Sequence, residues 1–182
     1  MENIDANEKS SFEEEEQDID PFHELFHKEE EMTRLEASST DIASLNLAPD
    51  VAKKARELNK HAPSVRFTSG RRDIAKQARA MANNIVHNRK WIEQTYRSTA
   101  AIRALQQWVD AHPSADTNEI ATGLAQVMKG MPSAQQMGIS RHLSGRAFDV
   151  QPNSCPESAI WALSPRTFLQ KEGGLVIWHV DF

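Results

Sequence analysis

From residue 50 onward, apolar residues recur at helical spacing. Val51, Ala55 and Leu58 share one face of a helix that Asp50 can cap and that is expected to run to about His61, where Pro63 stops it. Ser64-Val65-Arg66-Phe67-Thr68 alternates polar and apolar positions, which predicts a strand ended by Ser69-Gly70. Asp73 opens a long helix to about Tyr96, carrying Ile74, Ala78, Met81, Ile85 and Ile92. A third helix starts at Ser98 or Thr99, presents Ile102, Leu105, Trp108 and Val109, and breaks at His112-Pro113. Thr117 caps a fourth, with Ile120, Leu124, Val127 and Met128, stopped by Gly130 and Pro132. Ala147-Phe148-Asp149-Val150 then reads as a short strand ended by Pro152. Ser158 to about Lys171 reads as a helix interrupted by Pro165, and Gly173-Gly174 precedes an apolar final strand from Leu175 to Phe182. Helices first and strands late predict an α+β fold, with helices packed on one side of a small antiparallel sheet. No internal repeat is visible.

Charge divides the chain. Residues 1–50 hold 16 acidic and 3 basic residues, a net of −13, while the remaining 132 hold 10 and 18, a net of +8. The acidic half includes Glu13-Glu14-Glu15-Glu16 and Glu29-Glu30-Glu31, where like charges repel and few apolar residues offset the cost of ordering. Residues 1–49 are therefore expected to be a disordered tail and linker, the linker being the Ser-, Thr- and Ala-rich stretch 37–49, and residues 50–182 the folded domain. Ile19, then Phe22, Leu25 and Phe26 after Pro21, fall at helix-like spacing, as in a short partner-binding segment or as stray apolar residues. No apolar run approaches the ~20 residues of a membrane span, and Met1-Glu2-Asn3-Ile4-Asp5 does not resemble a signal peptide. The chain is thus expected to be made in the cytoplasm. Cys155 is the only cysteine, which excludes an internal disulfide and a Cys-rich zinc finger; it reads as a small buried residue.

The candidate chemistry lies in the last third. His142 and Asp149 are seven positions apart, with Gly145 permitting a turn and Ala147 sharing the Asp149 face of the strand. His179 lies on an apolar strand between Trp178 and Val180, where an unpartnered imidazole is costly. Two imidazoles and a carboxylate suit zinc, and three protein ligands leave a fourth position open, as in catalytic sites. On spacing alone, a satisfied core histidine and surface polar groups remain the alternative. His87, Trp91 and Trp108 fall on predicted helices and read as packing, while His23, His27, His61 and His112 form no pattern.

Ser140-x-His142-x-x-Gly145-x-Ala147-x-Asp149 followed by Trp178-His179 resembles the zinc D-alanyl-D-alanine carboxypeptidase family, which shares the hedgehog/DD-peptidase fold. Upstream, Ser69-Gly70-Arg71-Arg72-Asp73 and then Gln77 resembles the family's Ser-Gly-Tyr-Arg-Ser/Thr followed by Gln, with Arg71 in place of Tyr. The resemblance covers residues 64–182. It implies that His142, Asp149 and His179 ligate zinc. It implies that Arg72 holds a substrate carbonyl or carboxylate and steadies the oxyanion, a task that suits its fixed fork of donors, with Ser140 and Gln77 also on the substrate side. The family places its general base three residues before the second zinc histidine, or a histidine two before it. Val176 and Ile177 stand there and cannot take a proton. Asp181 shares the strand face of His179 and is the substitute, either as base or as support for a ligand; Glu172 is the other candidate.

The resemblance implies a zinc metallopeptidase, a D,D- or L,D-type carboxypeptidase or endopeptidase that hydrolyses a peptide bond in the bacterial peptidoglycan stem peptide. A phage lysis enzyme (an endolysin) or an effector exported by a dedicated machine would reach the cell wall without a signal peptide, and the acidic tail could dock on a protein partner. The +8 domain suits a polyanionic wall. Two rival readings stand beside it. One is a basic nucleic-acid-binding protein using Lys53, Lys54, Arg56 and Lys60 with Arg71, Arg72, Lys76 and Arg79. The other is a zinc-bound binder of cell-wall peptide that does not cut.

Overall fold

The computed structural model describes residues 42–172 and 175–182, and the side chains of residues 172–175 lie outside the described set. The acidic tail, with the Ile19 to Phe26 segment, also lies outside the described residues. Helix α1 (Pro49–His61) begins with proline at its first turn, and Val51, Ala55 and Leu58 are fully buried. Strand β1 (Phe67–Ser69) is short. Asp73 caps α2 (Ile74–Ile85) by accepting the Lys76 N–H. The long helix expected from Asp73 to Tyr96 is divided there. Chain 86–90 turns, the Asn88 side chain accepts the Lys90 N–H, and α3 (Trp91–Thr95) follows. Asparagine side chains compete for backbone partners, which breaks a helix that apolar spacing alone would continue.

Thr99 caps α4 (Ala100–Ala111) through the Ile102 N–H. Asp116 rather than Thr117 caps α5 (Thr117–Lys129), in a capping box with Glu119. A further helix, α6 (Ser133–Ile139), was not expected. It leads into a 3₁₀ turn (Arg141–Ser144) and β2 (Ala147–Val150). The helix expected over Ser158 to Lys171 does not form over that length. Only α7 (Glu157–Trp161) is helical, Ser164 turns with φ 52°, and β3 (Thr167–Glu172) pairs with β4 (Leu175–Asp181). Pro165 prevents helix continuation, and pairing with β4 supplies β3 with its backbone hydrogen bonds.

The sheet order is β1-β2-β4-β3 with all neighbours antiparallel, so the fold is α+β. Two apolar clusters flank the sheet's working residues. Phe148, Val150, Trp178 and Val180 share one face and pack with Val51, Ala55 and Leu58 of α1, Ile160 of α7, and Cys155. A second cluster joins α2 to α6, and Leu143 of the 3₁₀ turn belongs to it. By alternation, Ala147, Asp149, His179 and Asp181 point away from the first cluster.

Residues 42–49, read as linker, belong to this domain. Ile42 is 2% exposed, Leu47 and Ala48 pack on the sheet cluster, and the Leu45 carbonyl accepts the Arg71 N–H at 2.8 Å. Gly70 permits this approach, because a Cβ there would lie 2.4 Å from the Leu45 oxygen.

Candidate metal centre

Register creates the site. In the β2–β4 ladder Asp149 lies opposite His179, and Ala147 lies opposite Asp181. The 3₁₀ turn before β2 brings His142 to the same point. Ser140 caps that turn, its hydroxyl accepting the His142 N–H at 3.3 Å, and Gly145 ends it at φ 72°, where a side chain would be strained. His142, Asp149 and His179 are all buried, at 2%, 1% and 8% exposure. Among the described residues they are the one group of three side chains placed to hold a metal ion.

The donor atoms form a small triangle. Asp149 Oδ1 is 3.2 Å from His142 Nε2 and 2.8 Å from His179 Nδ1, and the two nitrogens are 3.2 Å apart. Tetrahedral zinc with bonds of about 2.0 Å separates its ligands by about 3.3 Å, so the spacing fits with little movement. Protonation points the same way. His142 Nδ1 is 2.7 Å from the Gly70 carbonyl, which can only accept, so Nδ1 carries the proton. In a neutral imidazole, Nε2 then presents a lone pair toward the Asp149 oxygen and the His179 nitrogen. At these distances the three atoms are joined either by a proton on His179 Nδ1, donated to its neighbours, or by a metal ion held by all three lone pairs. Burial pushes the Asp149 carboxyl up, yet hydrogen bonds and charge from His142 and His179 outweigh it and hold the group well below the usual carboxylate range.

The other expected residues surround this triangle. Arg72 Nη2 contacts the second Asp149 oxygen at 2.6 Å, Nε donates to Ser69 Oγ at 2.9 Å, and Nη1 is 3.5 Å from Gln77 Oε1. Gln77 is 1% exposed, and its amide donates to the Tyr96 hydroxyl at 3.3 Å. Asp181 Oδ2 is 4.0 Å from His179 Nε2, while its Oδ1 is buried with no partner among the described residues. Val176 is 67% exposed. Glu172 pairs with Leu175, four residues along β4 from His179, or about 13 Å at strand rise; its side chain lies outside the described residues. Sequence reasoning missed Tyr96 as a member of this network, and placed Ser69 in the upstream motif without giving it a role. Tyr96 was placed on a helix face, and nothing in its spacing marks it otherwise.

Several residues of the basic clusters are engaged internally. Lys54 donates to the Leu163 carbonyl and stands over the Phe182 ring, Arg79 donates to Asn118, and Arg72 is held by Asp149. Cys155 is buried, which pushes its thiol pKa up and leaves it inert. Among the described residues, no helix is long and apolar enough to cross a membrane. Compared with known proteins, the chain matches no family model, no curated protein and no solved structure.

Proposed function

We propose that the chain is a zinc-dependent peptidase that hydrolyses a peptide bond of the bacterial peptidoglycan stem peptide. The buried His142–Asp149–His179 triangle, three donors at tetrahedral spacing, carries this reading. His142 and His179 would hold the ion through Nε2 and Nδ1, and Asp149 through Oδ1. Zinc held there supplies Lewis acidity, polarising a carbonyl oxygen and acidifying water. Arg72, with 19% of its side chain exposed, steadies the charge that develops on the scissile carbonyl oxygen. Ser140 keeps the His142 turn in place beside the substrate's polar end, and Gln77 acts on substrate through Arg72. Asp181 is the proposed proton acceptor, because its carboxylate reaches the ligand end of β4 with one oxygen free of hydrogen bonds among the described residues. Glu172, whose backbone pairs with Leu175 four residues before His179, is the less favoured candidate.

The net charge of +8 beyond residue 50 favours encounter with the polyanionic wall, after release from the cell or export. The nucleic-acid reading is weaker, because Lys54, Arg72 and Arg79 make contacts within the domain. The deciding experiment incubates the purified chain with peptidoglycan, with and without zinc, and identifies released fragments by mass spectrometry. Zinc-dependent release of stem-peptide fragments supports the proposal. Tight zinc-dependent binding without release would establish a non-catalytic binder instead.

A further inference from the structure

We infer that Arg72, Gln77 and Tyr96 form a positioning chain that decides which oxygen of Asp149 faces the metal. This inference rests on the zinc-centre reading and deepens it. A carboxylate offers two equivalent oxygens, and a ligand free to rotate would present either one, or both together. Here Oδ2 is taken by Arg72 Nη2 at 2.6 Å, so only Oδ1 points at His142 and His179. The guanidinium is itself fixed from the other sides, by Ser69 Oγ on Nε and by Gln77 Oε1 beside Nη1. Gln77 is fully buried and held by the Tyr96 hydroxyl, and the Tyr96 ring packs edge-on against Trp91 at 5.5 Å. The chain therefore runs from the helical cluster to the sheet and ends on a metal ligand.

Charge alone does not account for this arrangement. A cation beside Asp149 partly neutralises the ligand and weakens its pull on a metal ion. Its contribution is orientation, which a planar fork provides and a lysine does not. Removing such supports commonly costs a site 10–100-fold in metal affinity. Gln77 and Tyr96 are the informative members, since changing them leaves the charge of the site untouched.

The test measures zinc affinity of the full-length chain by chelator competition, together with the thermal midpoint of the metal-free protein. Gln77→Met should raise the zinc Kd by about 10-fold, and Arg72→Lys, which keeps the charge, by about 10–100-fold. Tyr96→Phe removes one hydroxyl and should raise it by about 2–5-fold, a small share of that range, with the metal-free midpoint unchanged. Should Gln77→Met fail to fold, Tyr96→Phe and Arg72→Lys carry the test. Wild-type zinc affinity in the folded variants overturns the inference and leaves the peptidase proposal standing. Absence of zinc binding in the wild type overturns both.

Discussion

At the scale of single residues, the site is a buried group of three side chains whose nitrogen and oxygen atoms could hold a metal ion. His142 Nε2, His179 Nδ1 and Asp149 Oδ1 converge, and the Gly70 carbonyl fixes the proton of His142 on its far side. His142→Ala and His179→Ala should each lose most of the zinc, measured as metal per chain after dialysis against a weak chelator. Retention of about one zinc per chain in both variants would sink the ligand assignment. Asp181 is a different kind of residue. It lies 4.0 Å from the outer nitrogen of His179 and keeps one buried oxygen without a partner among the described residues. As proton acceptor, Asp181→Asn should keep zinc and lower turnover by about 10²-fold or more. Loss of zinc from that near-isosteric variant would instead make Asp181 a support for His179.

At the scale of elements, two close approaches hold the helical cluster and the sheet in shape. The Trp108 indole lies against Gly123 of α5, where a Cβ would come within 2.0 Å of the ring. Gly123→Ala therefore forces the indole out, and should destabilise the domain by about 1–3 kcal/mol in urea unfolding, although alanine favours the helix. Ile42, ahead of α1, is nearly fully buried with Val51, Leu58 and Val180. Ile42→Ala should cost about 2–4 kcal/mol, an effect a linker residue would not produce. An unchanged unfolding midpoint would return residues 42–49 to linker status.

Within the described domain, the candidate metal centre draws its residues from parts of the chain packed on both apolar clusters. His142 belongs to a turn anchored by Leu143 in the helical cluster, whereas Asp149 and His179 come from strands whose other face packs against α1 and α7. A metal held by all three ligates elements from both clusters, and it binds the folded state alone. Zinc at 1,000 times its Kd should then stabilise the chain by about 4 kcal/mol. For a domain of this size that raises the thermal midpoint by roughly 10 °C. Removing zinc with a chelator should reverse the shift, and a His142→Ala, His179→Ala double variant should show neither change. Equal midpoints with and without zinc in the wild type would argue against a site formed on folding.

Local pattern by itself determined much of this protein. Helical spacing marks α1, α2, α4 and α5, and period-two alternation puts Asp149 with Ala147, and His179 with Asp181, on shared strand faces. The His142 to Asp149 spacing, with Gly145 between, already contains the turn that brings those two together. Those features depend on neighbours a few residues away, so the sequence displays them. The tertiary structure decided the rest. Nothing local pairs Asp149 with His179, which are 30 positions apart, or Arg72 with Asp149, which are 77 apart. Thr167 to Glu172 is a strand because β4 offers an edge, and its own apolar spacing suits a helix equally well. Ile42 is core because a sheet face formed elsewhere receives it. Each of these outcomes rests on contacts between distant segments, whose free energy appears only when the chain has closed on itself.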